Sequence, residues 1–66
     1  MTLPHERTLA VLRASEFMRD LMNPKKTPRV PLAVRRRAMA IWKHYPWKME
    51  LHTAADLAPN IFGKPE

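Results

Sequence analysis

Apolar residues recur at helical spacing in three stretches of this chain, and the three together set the architecture. In the first, Leu3, Ala10, Val11, Ala14, Phe17, Met18, Leu21 and Met22 fall on one side when the chain is wound as a helix. Thr2 is placed to cap it, Pro4 is tolerated in a first turn where its missing N–H has no helical partner, and Asn23-Pro24 ends it. The pattern predicts a helix from Pro4 to Met22. In the second stretch Val34, Ala38, Ile41, Trp42 and Tyr45 form an i, i+4, i+7, i+8, i+11 series, with Pro31 suited to the first helical position and Pro46 stopping the run. This predicts a helix from Pro31 to Tyr45. In the third, Trp47, Leu51, Ala54, Ala55 and Ala58 mark a face of small residues fitted to close packing. Thr53 and Asp56 form a competing capping signal that would delay this helix, but Trp47 and Leu51 continue the same face, so the expected span is Trp47 to Ala58.

The expected fold is therefore all-α, a small three-helix domain. With 66 residues there is room for one thin core, expected to hold Ala14, Phe17, Leu21, Val34, Ala38, Ile41, Trp42, Tyr45, Leu51 and Ala55. Residues 24–30 read as a basic connector, stiffened by Pro24 and Pro28 within it and by Pro31 just after. After Pro59, Ile61 and Phe62 are expected to fold back as a lid, with disorder over residues 63–66.

Composition adds little to this picture except by exclusion. A chain that is 45% hydrophobic and 27% charged is expected to fold. It has no cysteine, so neither a disulfide nor a thiolate metal site supports it. No signal-peptide pattern and no run of eighteen apolar residues occur, which makes a soluble cytoplasmic protein the expectation.

Charge changes the picture more. Between Asp20 and Glu50 there is no acid, while Lys25, Lys26, Arg29, Arg35, Arg36, Arg37, Lys43 and Lys48 supply eight positive charges. Elsewhere four cations face six acids, so the net charge of +6 is concentrated in one segment, as an anionic partner would require. Arg35 to Arg37 stand near the positive end of the second helix's dipole, where a cation costs about 0.3 to 1 kcal/mol. A use for these arginines outside the fold is the reading that follows. Arg7, within the apolar stripe of the first helix, reads instead as structural, its stem lying along apolar surface or its head paired with a carboxylate elsewhere. Leu9 and Leu12, three apart on the opposite side, are a candidate homodimer contact.

Catalytic chemistry finds no support. His5, His44 and His52 lack the spacing that sets two imidazoles on one helix face, so no metal and no cofactor is expected. Ser15 has no nucleophile elbow, the Glu16–Asp20 pair is flanked by Arg13 and Arg19 as in a salt-bridged surface, and a single glycine rules out a glycine-rich phosphate loop. The expectation is a non-enzymatic binding module. Its anion site is Lys25, Lys26, Arg29, Arg35, Arg36, Arg37 and Lys43, and Lys48 extends it. Nucleic acid held non-specifically by its phosphate backbone is the leading partner. A helix-turn-helix would make the third helix the reader, and its Lys48, Glu50, His52 and Asp56 suit base edges poorly. Trp42 and Tyr45 are assigned by phase to the core and not to base stacking. The alternative is an adaptor or regulator docking an acidic protein. Membrane binding ranks lowest, because Leu32 and Met39 are the only apolar residues expected beside the cations.

Pro4-His5-Glu6-Arg7-Thr8, Thr27-Pro28-Arg29-Val30-Pro31 with Val34-Arg35, and His44-Tyr45-Pro46 ahead of a short helix together resemble a family of short uncharacterised proteobacterial proteins of the BPSL type. The similarity spans nearly the whole chain. It implies a bacterial cytoplasmic origin and carries no assigned activity.

Overall fold

The computed structural model describes residues 2–65 and contains three helices, α1 (Pro4–Met22), α2 (Leu32–Trp42) and α3 (Lys48–Leu57), with no strand among the described residues. The all-α three-helix expectation holds, and the differences lie at the helix ends. Thr2 does not cap α1. Leu3 stands before the first turn, its carbonyl accepts from the Glu6 and Arg7 amides at 3.0 and 3.1 Å, and Glu6 reaches back to accept from the Leu3 N–H at 2.8 Å. A carboxylate satisfies an orphan N–H and meets the positive helix end at once, which a threonine hydroxyl cannot match. Pro31 precedes α2 in an extended conformation instead of opening it. At the other end the chain tightens after Trp42, with the His44 and Tyr45 amides bonded three residues back, because a residue before proline is pushed out of the helical region. The longer reading of α3 holds: Glu50 accepts from the Trp47 N–H at 2.9 Å and closes the helix start just after Pro46.

The chain divides into two compact units. The first unit joins the start of α1, through Arg13, to the chain from Pro46 onward. Of the predicted α3 face, Leu51 and Ala55 are buried and Ala54 and Ala58 half-buried, while Trp47, just before the helix, is exposed against its assignment. The most enclosed side chain is Thr8, 1% exposed, whose hydroxyl meets the Gly63 carbonyl at 2.6 Å and the Pro4 carbonyl at 3.3 Å. The tail does fold back, but polar groups fasten it. Arg7 donates from Nε to the Ile61 carbonyl (2.7 Å), from one terminal nitrogen to the Asn60 carbonyl (2.9 Å) and from the other to the Thr2 carbonyl and hydroxyl (2.9 and 3.0 Å). Ile61, expected in a lid, is exposed. Past Gly63, Pro65 is buried and Lys64 lies 3.1 Å from Asp56; Glu66 lies outside the described residues.

Gly63 is the one glycine, and its place explains why. A Cβ there would come within 2.8 Å of the His5 backbone nitrogen and Cα, closer than such atoms approach. Neither is the movable end of a side chain, so the strand of tail would have to lift off Thr8. Gly63→Ala is expected to destabilise the chain by about 1 to 3 kcal/mol, read as a lower midpoint in urea denaturation.

The second unit is Ala14–Tyr45. Ala38 is its buried residue, Ala14, Leu21 and Tyr45 are half-buried, and Phe17, Val34, Ile41 and Trp42 are exposed, against their assignment to the core. Helical phase names the side of a helix that is apolar. It does not supply enough neighbouring chain to cover that side, and an eleven-residue helix against the end of another leaves much of it open.

Candidate functional site

The basic segment occupies the second unit, and the way α1 ends sets its geometry. Asn23 closes the helix by accepting from the Lys25 N–H on its side-chain oxygen (3.0 Å), while its carbonyl accepts from the Lys26 and Thr27 amides (3.1 Å each). The Thr27 hydroxyl then turns back toward the Asp20 and Asn23 carbonyls at 2.8 and 3.2 Å. A second turn follows at once. Pro28 precedes Arg29, whose φ of 66° is left-handed, the pairing characteristic of a type II turn. Glycine or asparagine is the usual occupant of that position; any other side chain costs about 1 to 2 kcal/mol.

Arg35 holds this loop to the fold. One terminal nitrogen donates to the Leu21 carbonyl at 2.6 Å and to the Thr27 hydroxyl at 3.0 Å, and the other donates to the Thr27 carbonyl. Leu21 is in the last turn of α1, where carbonyls have no intrahelical partner and the dipole is negative. The guanidinium therefore compensates its unfavourable position near the start of α2 with a favourable one at the end of α1. The dipole reasoning for Arg35 to Arg37 changes accordingly. With α2 starting at Leu32, Arg36 and Arg37 lie beyond the first turn, where the effect fades, and the remaining arginine has an internal use.

The sequence-designated residues thus separate into classes. Arg35 is half-buried, with both terminal nitrogens occupied by protein acceptors. Lys26 sits 3.6 Å from Asp20, a solvent-exposed pair worth little. Lys25, Arg29, Arg36, Arg37 and Lys43 are exposed and form no ion pair among the described residues. All seven fall in one unit, whereas Lys48 opens α3 in the other. A polar depression of about 420 Å³ beside Lys26 is lined by Glu16, Arg19, Asp20 and Asn23, and its mixed charge does not select an anion.

Periodicity missed a second feature of this unit. Phe17, Met18 and Leu21 of α1 and Val34, Ala38 and Ile41 of α2 line an open apolar groove of about 220 Å³, with Arg37 at its edge. Exposed Phe17 and Ile41 were assigned to the core because they share the helical phase of Ala38 and Leu21. Thr27 was missed too, and its position next to a proline in a turn was the only signal. Of the proposed dimer contact, Leu9 is exposed and Leu12 half-buried. Among the described residues no three His, Asp or Glu side chains gather as a metal site, and no helix is long and apolar enough to cross a membrane.

No family model, curated protein or solved structure matches this chain.

Proposed function

We propose that the chain is a non-catalytic binding module that grips the phosphate backbone of nucleic acid, without reading bases, through Lys25, Lys26, Arg29, Arg36, Arg37 and Lys43. The supporting observation is that five of these six are exposed with no acidic neighbour paired to them, and the sixth is held only by a weak surface bridge. Side chains in that state give up counterions on meeting a polyanion and lose no internal contact in doing so. Arg29 adds a second reason. Local stability favours glycine at a left-handed position, and a cation kept there at a cost has a use for its charge. Arg35 has a supporting role: by tying Thr27 to the end of α1 it holds Lys25, Lys26 and Arg29 in one arrangement. An adaptor role toward an acidic protein draws on a different feature, the apolar groove, which shares only Arg37 with these cations.

Fluorescence anisotropy with labelled duplexes of unrelated sequence, titrated across salt concentrations, tests the reading. The expected result is equal affinity for each duplex, with log K falling by about 0.9 per contacted phosphate as log salt rises. Neutralising Lys25, Lys26 and Arg29 to alanine should reduce that slope by about 3 if each meets one phosphate. No binding at low salt, or a slope unchanged in the triple variant, sinks the proposal.

A further inference from the structure

We propose that the groove between the end of α1 and α2 docks an acidic amphipathic helix from a partner protein. Its walls are Phe17, Met18 and Leu21 on one side and Val34 and Ile41 on the other, with Ala38 buried between them. Phe17 is 62% exposed and Ile41 55%, so the groove presents large apolar side chains to water as a continuous strip. Strips of this kind on a small domain mark sites of association. The dimensions favour a helical occupant. The eleven residues of α2 run about 16 Å, which matches three turns of a helix laid alongside with anchors at i, i+3 or i+4, and i+7.

Charge selects the sign of that helix. The Ala14–Tyr45 unit carries eight cations, namely Arg19, Lys25, Lys26, Arg29, Arg35, Arg36, Arg37 and Lys43, against Glu16 and Asp20, so it holds a net +6. A second copy of the chain would bring the same +6 against it, which disfavours self-association through this face. The Arg37 side chain lines the groove and forms no ion pair among the described residues. A glutamate or aspartate on the flank of the docked helix would pair with it while the apolar anchors fill the strip. The inference shares only Arg37 with the phosphate-backbone reading, and Lys25, Lys26 and Arg29 do not line the groove, so the two can be tested apart.

The test is titration of the isotopically labelled full chain with a synthetic helical peptide carrying leucines on one face and glutamates on both flanks. Saturable amide shifts are expected at Phe17, Leu21, Val34, Ala38 and Ile41. A peptide of identical composition with the leucines scattered should bind at least about tenfold more weakly. Ile41→Asp and Phe17→Ser alter exposed positions, so circular dichroism should show retained helix while affinity drops at least about tenfold. Arg37→Glu should weaken the acidic peptide and strengthen one whose flanking glutamates are replaced by lysines. The alanine variant of Lys25, Lys26 and Arg29 should still bind the peptide as it loses duplex affinity, which separates failure of one reading from failure of the other. Equal binding by the scattered peptide, affinity indifferent to Ile41→Asp and Phe17→Ser, or a sedimenting dimer that these substitutions dissociate overturns the proposal.

Discussion

Replacing Arg35 by methionine is expected to lower the melting temperature by about 10 to 20 °C, corresponding to about 2 to 3 kcal/mol in a chain of this size. The same replacement at Arg36 or Arg37 is expected to stay within about 0.5 kcal/mol of the parent. Three identical side chains in succession thus differ sharply, because Arg35 alone donates to the Leu21 and Thr27 carbonyls and the Thr27 hydroxyl. Methionine keeps the stem and removes the donors, so packing is largely preserved and the loss is that of the hydrogen bonds. Their sum is discounted for partial exposure, since water can reach some of the freed carbonyls. Lysine should recover only part, because a single ammonium in place of one terminal nitrogen leaves the Thr27 carbonyl, held by the other, without its donor. Total stability in a domain this small is only a few kcal/mol, so the effect should be plain in a thermal melt. Equal melting temperatures for the three methionine variants would refute the assignment.

Arg7→Met is expected to cost about 2 kcal/mol and to act on the other unit. Four donor contacts bind residues 2, 60 and 61 to the guanidinium, and without them the tail keeps the Thr8–Gly63 bond and the exposed Lys64–Asp56 pair. The amides of Ile61 and Phe62, bonded to the Ala58 carbonyl at 2.9 and 3.0 Å, should exchange with deuterium much faster once the tail is released. Lysine cannot address carbonyls on two sides at once and should behave like methionine. Unchanged exchange at Ile61 and Phe62 would show that the tail is fastened by something other than Arg7.

The two arginines show why the site was only partly legible. Arg7 read as structural from its place in an apolar stripe, and that reading holds, although its partners are tail carbonyls which no periodicity could name. Arg35 read as one of three equivalent cations. What distinguishes it is the carbonyl of a residue fourteen positions earlier, brought near by the turns after Met22. A local cost of charge at a helix start is visible in sequence; its compensation at another helix's end is not.

Helix number, order and approximate span were determined by the sequence alone, as were the burial of Leu51 and Ala55 on α3 and the confinement of the net charge to one segment. These depend on spacing and on proline, whose effects act within a turn or two of chain. Only the tertiary structure decided that Phe17 and Ile41 face water, that Gly63 must be bare to lie against His5, and that Arg35 serves the fold while Arg36 and Arg37 stay exposed. The reason is that burial and hydrogen-bond satisfaction depend on which distant segment arrives beside a residue, and three short helices leave part of every apolar face without such a neighbour.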